Sequence, residues 1–274
     1  MLLWSTGFIV ARYATRDAGA LTFLFLRMVA AAAVLWLVAM ATGAPKLSRS
    51  DTRWAAIAGL GLHAIYLGGV FLAASWGLPS GLSALIAGLH PVVTSVGALV
   101  VLREGLSAAK WIGVGLGVGG VVAVVIDRLE AGVSGITAGA IVAMILSVFG
   151  MASGTLVQRA KGSTMPLLRG TAVQYASAAV VLGIGSVVHE DFEVQLTARF
   201  WWSLLWAVGV LSIAAVLIML WLLQRHATVR VSSLFFLTPA LSTVEGAVLF
   251  GERLGALAVA GLAIALAGVY LTTR

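Results

Sequence analysis

Residues 89–121 read LHPVVTSVGALVVLREGLSAAKWIGVGLGVGGV, and residues 237–269 read LTPALSTVEGAVLFGERLGALAVAGLAIALAGV. The two stretches repeat each other without a gap at an offset of 148 residues. Pro91 meets Pro239, Glu104 meets Glu252, Gly113 meets Gly261 and Gly120 meets Gly268. Leu89, Val96, Val100, Leu106, Ala108 and Val121 meet identical residues as well. Each stretch carries a proline inside a long apolar run. Duplicated hydrophobic bundles with helix breakers at matching depths place a binding site at the midplane, between the halves.

The composition supports this reading. The chain is 61% hydrophobic and 10% charged, with a mean hydropathy of +1.08. A soluble domain is about a quarter charged, so the lipid bilayer is the expected solvent. There is no cysteine, and the four histidines show no ligand spacing. The sequence therefore predicts no metal, no cofactor and no disulfide. The net charge of +7 sits mostly in short loops between apolar runs, which argues against nucleic acid as a partner.

Hydropathy predicts an all-α membrane protein of ten transmembrane helices. The expected spans are 1–14, 19–43, 54–75, 80–102, 109–126, 136–158, 165–188, 200–223, 229–250 and 255–273. The first is short, since about 20 residues are needed to cross, and a missing N-terminal stretch is the expected reason. With the N-terminus in the cytoplasm, ten basic residues fall inside: Lys46, Arg49, Arg53, Arg103, Lys110, Arg159, Lys161, Arg225, Arg230 and Arg274. Only four fall outside: Arg16, Arg128, Arg199 and Arg253. This bias puts both termini in the cytoplasm of a bacterial-type inner membrane. Five helices per half is an odd number, so the second half enters from the opposite side. Residues 1–126 and 136–274 then form two inverted repeats.

Several residues are candidates for chemistry. Pro91 and Pro239 each leave one carbonyl unpaired four residues back, at Ala87 and Phe235. Free carbonyls at membrane depth must face protein or a wet cavity. Pro91, Pro239, His90 and Thr238 are therefore expected to border the substrate. His63 and Tyr66 are three apart on helix 3, hence on one face, and Gln174 is polar at similar depth. The plainer reading of either histidine is a neutral ring satisfied by a neighbouring carbonyl.

Arg27 and Glu245 lie inside spans and serve as coupling or gating candidates. The repeat matches Glu245 with Gly97 and Arg27 with Gln174 or Tyr175, depending on an offset of 147 or 148. Glu104 and Glu252 end helices 4 and 9, while Arg159 and Arg12 end helices 6 and 1. The repeat permits two exchanged pairs, Glu104 with Arg159 and Glu252 with Arg12, which would act as gates. The plainer reading is that each charge snorkels to its own interface. Gly113 and Gly117, with Gly261, Ala265 and Gly268, form small-residue faces. These serve either a homodimer or, more simply, packing within one bundle, so a monomer and a homodimer both remain open.

The chain resembles the drug/metabolite transporter superfamily, EamA type. The resemblance is carried by Trp4-Ser5-Thr6-Gly7-Phe8, by Arg27 and by the paired blocks from Ala87 to Gly120 and from Phe236 to Gly268. It implies a gradient-driven carrier of small metabolites, often an exporter, working by alternating access. The group includes amino acid exporters of the YddG kind. The expected partners are a small-molecule substrate and lipid. Uptake or nucleotide-sugar exchange is the rival transport role. An intramembrane enzyme would need a catalytic cluster at depth, and Glu245 is the only deep carboxylate, so no catalytic residue is predicted. A channel would want a filter or charged ring, for which an internal duplication has no use.

Overall fold

A computed structural model describes residues 2–101, 107–130, 132, 136–162, 165–215, 218, 237–252 and 255–273. These residues are almost entirely helical. In chain order the helices are α1 (Leu2–Ala14), α2 (Ala20–Ala41), α3 (Arg49–Gly59), α4 (Tyr66–Ser75), α5 (Ser80–Ala87), α6 (His90–Val101) and α7 (Ala108–Glu130). They continue as α8 (Ala138–Lys161), α9 (Leu167–His189), α10 (Ala198–Leu205), α11 (Leu237–Phe250) and α12 (Ala256–Thr273). Their positions follow the hydropathy reading closely. Six helical stretches among the described residues are long and apolar enough to cross a membrane: Ala20–Ala41, Arg49–Ser75, Ser80–Leu99, Ala108–Asp127, Ala138–Lys161 and Leu167–His189. Three more are apolar but shorter.

Local chemistry sets the helix ends. Ser48 and Asp51 form a capping box at the start of α3, and Thr137 and Thr197 cap α8 and α10 through their hydroxyls. Gly43 and Gly77 take positive φ, 64° and 88°, and terminate α2 and α4. Two helices that lack a cap of their own, α2 and α5, borrow one. Glu190 accepts from the Leu21 and Thr22 backbone N–H groups at the start of α2, at 3.0 and 2.8 Å. Glu252 accepts from Ser80 and Gly81 at the start of α5, at 2.8 and 3.1 Å. A carboxylate at a helix N-terminus satisfies orphan donors and complements the helix dipole.

Two short π-helical turns interrupt the bundle. One runs over Leu60–Ile65, between α3 and α4, and the other over Trp206–Ala214, after α10. Shifted by 148 residues, 60–65 becomes 208–213, so the two turns occupy matching places in the repeat. The first packs on a small-residue face of α8, where a Cβ on Gly61 would meet the Gly154 backbone at 2.8 Å.

Two helices pair with their own repeat equivalents, α2 with α9 and α7 with α12, and α5 packs on α11. The remaining contacts also exchange: α6 lies on α8 as α11 lies on α1. The α7–α12 seam is built from the glycines the sequence singled out. Gly120 faces Gly261 and Ala265, whereas Gly117 and Gly113 face Gly268. Rising numbers on one helix meet falling numbers on the other, so the pair is antiparallel. α2 and α9 are likewise antiparallel, with Leu21 against Gly185, Phe25 against Gly183 and Arg169 over the Trp36 ring. In a bilayer such seams gain little from the hydrophobic effect and depend on close backbone approach. Gly115 and Gly119, in contrast, face open space. The large apolar side chains Val180, Ile184 and Val187 of α9 point outward, as lipid-facing residues do.

A Cβ at Gly268 would sit 2.7 Å from the Gly117 Cα. Gly268→Leu is therefore expected to cost roughly 1–3 kcal/mol by overpacking, read as a lowered midpoint of denaturation in detergent. Gly115→Ala, with nothing within 4 Å, should leave that midpoint unchanged or raise it slightly.

Candidate functional site

The polar side chains at depth gather in two places. The first lies where α2 crosses α9. Arg27, the eighth residue of α2, is 6% exposed, and its Nε donates to Ser212 Oγ at 3.1 Å. The Tyr175 hydroxyl donates to the Ser212 carbonyl at 3.2 Å. Gln174 donates from Nε2 to Gln158 Oε1 at 2.8 Å, and its own oxygen lies 3.4 Å from His63 Nε2. The His63 ring stands 4.5 Å from the Tyr175 ring. Tyr66 and Tyr175 are within electrostatic range of Arg27, as is His63. His63 and Tyr66 are only half-buried, while Gln174, Tyr175 and Ser212 are buried.

The repeat predicted that Arg27 corresponds to Gln174 or Tyr175. The fold brings those equivalent positions together on the seam between the halves. One detail differs from the sequence reading. His63 and Tyr66 do not share an ordinary α-helical face, because the Leu60–Ile65 π turn lies between them and the Tyr66 N–H reaches back to the Gly61 carbonyl. Gln174 and Tyr175 from α9 link His63 to the group.

The second place is the pair of proline sites. The expected continuous span 80–102 is interrupted at Gly88-Leu89, and a new helix starts at His90. Pro91 is thus a first-turn residue, where its missing N–H costs nothing, rather than a mid-helix kink. The His90 imidazole hydrogen-bonds to the Ala87 backbone, the carbonyl that Pro91 cannot pair. Pro239 is the third residue of α11, and Phe235 lies outside the described residues. The two proline sites meet: a Cβ on Gly88 would lie 3.0 Å from Pro239 Cγ. Among the described residues, Thr238 Oγ1 is buried there without a partner. Farther along α11, Glu245 accepts a hydrogen bond from Ser5 Oγ at 2.6 Å, and its other oxygen is buried and, among the described residues, unpartnered.

Charges close the end of the bundle where α1 meets α2. Arg12 pairs with Glu252 at 2.5 Å, and the carboxylate also caps α5. Arg12 therefore does more than snorkel: it ties α1 to the α11–α12 turn and, through Glu252, to α5. Its guanidinium also stacks over Phe250. Asp17 and Arg199 form a two-toothed pair at 2.6 Å in both bonds. An isolated backbone bridge joins Ala18 to Val194 beside it. Glu104 lies outside the described residues, so the exchanged pair with Arg159 does too. Arg159 is exposed at the end of α8.

The profile of the EamA-like transporter family matches residues 1–126 and again residues 138–274. The chain belongs to the EamA-like transporter family. It is 26% identical over 284 residues to the "Uncharacterized inner membrane transporter YedA" of Escherichia coli (strain K12), covering 99% of this chain and 87% of that one. It is also 26% identical over 215 residues to the "Probable amino-acid metabolite efflux pump" of Salmonella typhimurium, covering 74% of this chain and 70% of that one. A solved crystal structure superposes with a TM-score of 0.66 at 18% identity, over 99% of this chain and 93% of its own, and shares the fold.

Within this family fold, sequence reading missed Ser5, Gln158, Tyr175 as a contact in its own right, and Ser212. A serine inside an apolar run carries no signal alone. Gln158 was readable as a polar residue near a span end, and only the fold shows that it faces Gln174.

The Asp17–Arg199 pair gives a pH prediction. Hydrogen bonds from Arg199 hold the Asp17 carboxyl below its ordinary range, with Thr197 adding to the effect, and together they outweigh the opposing cost of burial. A depressed carboxyl contributes stability above its unfolded pKa of about 3.9, and this is lost as pH falls through the folded value. Asp17→Asn should therefore lower stability by a constant amount from neutral pH down to about pH 5. The gap to the native chain should close only below about pH 4, as followed by thermal melting in detergent.

Proposed function

We propose that this chain is a secondary carrier of the inner membrane that exports amino acids or similar small metabolites by alternating access. In this reading it has ten spans in two inverted halves, 1–126 and 136–274, with both termini in the cytoplasm. One observation carries the proposal most directly. Arg27, Gln174 and Tyr175 stand at equivalent repeat positions and converge on the seam between the halves, in a bundle whose other faces are apolar. Polar groups at that depth are costly facing lipid and are used where solute passes. The antiparallel course of α2 with α9 and of α7 with α12 supports the inversion. The family and the names of its relatives support transport, and one of those names supports efflux of amino-acid metabolites.

Substrate sits between Arg27, His63, Tyr66 and Gln174 on one side and the paired breaks at His90-Pro91 and Thr238-Pro239 on the other. Glu245, with one buried oxygen unpartnered, is the place for a coupling proton or a cationic group. Arg12 and Glu252 gate one end and Glu104 and Arg159 the other. By the loop charges the Arg12–Glu252 end is external, so this conformation is closed to the outside. Opening requires α5 to release the carboxylate that caps it.

Purified protein in liposomes, loaded with labelled amino acids and placed in a pH gradient, should show counterflow of at least one of them. Glu252→Gln should slow that exchange several-fold while solute binding in detergent stays intact. A chain that moves none of a broad panel of amino acids and small metabolites would sink the carrier reading. Orientation is checked separately. Cysteines at the exposed positions Lys46 and Glu193 should react with impermeant reagents only from the cytoplasm and only from outside, respectively. Same-side labelling would overturn the inverted topology.

A further inference from the structure

The carboxylates of the described residues are all engaged or placed away from Arg27. Asp17 binds Arg199, Glu252 binds Arg12, Glu190 caps α2, Asp51 caps α3 and Glu245 is held by Ser5. Asp127 and Glu130 close α7, and Asp191 and Glu193 lie in the loop after α9. Arg27 is a permanent cation, and it is 6% exposed in the interior. Among the described residues it has one hydrogen-bond acceptor, Ser212 Oγ, which takes the Nε proton. The outer fork of the guanidinium, its two terminal nitrogens, is left without an acceptor. That fork is the part of the side chain whose geometry matches a carboxylate with two parallel hydrogen bonds.

The neighbours favour an anion as well. His63 and Tyr66 border the cation and are half-buried. At membrane depth, half-buried polar groups face an internal space rather than lipid. The Tyr175 hydroxyl and the Gln174 amide are already committed, to the Ser212 carbonyl and to Gln158. They hold Ser212 and the α9 side of the site in place and leave Arg27, Tyr66 and His63 to meet the ligand. A buried charge without its partner is the costliest arrangement a bundle interior can hold, unless the partner arrives with the solute.

We propose that Arg27 is the anchor for a carboxylate of the transported solute, with Ser212 fixing the guanidinium so that its fork faces the ligand. The substrates are then small acids or zwitterions, and the corresponding amides and amines are excluded. This rests on the carrier reading of the same central site and narrows it to one chemical feature of the solute.

The test uses the purified full chain in detergent and matched pairs of probes: L-phenylalanine and L-phenylalaninamide, L-leucine and L-leucinamide, 3-phenylpropionate and its amide. Affinities are read from ligand-induced shifts in melting. In at least one pair the acid should bind roughly tenfold or more tighter than the amide, the scale of a charge-assisted hydrogen bond pair. Arg27→Gln should abolish that preference, and Arg27→Lys should keep part of it, since an ammonium retains the charge without the fork. The proposal is overturned if no acid outperforms its amide, if chloride matches the best acid, or if the preference survives in Arg27→Gln. Should Arg27→Gln fail to fold, the comparison in the native chain decides alone. Liposome counterflow separates this proposal from the broader one. A chain that moves solutes without regard to the carboxylate keeps the carrier and loses the anchor. A chain that binds acids through Arg27 but moves none of them keeps the anchor and loses the carrier.

Discussion

Inside a bilayer a polar group has no water to fall back on, and every donor, acceptor or charge must find its partner within the protein. Most of the unusual features of this bundle answer that demand. The starts of α2 and α5 have no caps of their own and take carboxylates from distant turns, Glu190 and Glu252. Pro91 is moved to a helix start, and His90 bonds to the carbonyl that the proline leaves over. The same demand makes exceptions informative. Among the described residues, Thr238 Oγ1, one oxygen of Glu245 and the hydroxyls of Ser80, Ser83 and Thr94 are buried without a partner, and the guanidinium fork of Arg27 has no acceptor. Thr238 and Arg27 lie along contacts between the halves.

The rest of the interior divides into parts of different character. The α7–α12 seam is made of glycine and alanine in backbone contact, which leaves no side chains to rearrange and favours a fixed strut. The central crossing of α2 with α9 and the π turns is polar and built from hydrogen bonds between side chains. Hydrogen bonds of this kind in membranes are individually modest. The bundle thus combines a stiff small-residue seam with a polar centre held by side-chain hydrogen bonds.

Much of this was readable beforehand. Long apolar runs and their turn residues placed the helices within a few residues. Offsets of 147 and 148 related Arg27 to Gln174 and Tyr175 respectively, whereas Arg12 with Glu252 was a pairing the repeat permitted beside the plainer snorkelling reading, and the fold makes it. What was hidden has a common cause. The π turns at Leu60–Ile65 and Trp206–Ala214 add a residue to a turn without any proline or charge to mark it, so spacing counted at 3.6 residues per turn misplaced Tyr66 relative to His63. Ser5 and Ser212 are single hydroxyls in apolar runs, and only the partners the fold supplies, Glu245 and Arg27, give them meaning. The expected span 80–102 breaks at Gly88-Leu89 because Pro91 is at home in a first helical turn, and Pro239 packs on Gly88 at the break.

The pairing of α2 with α9 and of α7 with α12 has a consequence for symmetry. Each contact joins a stretch to its own equivalent under the repeat, so it is self-complementary. Under exact symmetry every residue on the axis would occur twice, and an arginine at position 27 would face its own image, two like charges in a medium that screens them poorly. Two halves of one chain need not be identical. Position 27 carries a cation while the matching place carries Gln174 or Tyr175, and Glu245 stands where the other half has Gly97. A single chain can thus set asymmetric polar groups on a repeated scaffold.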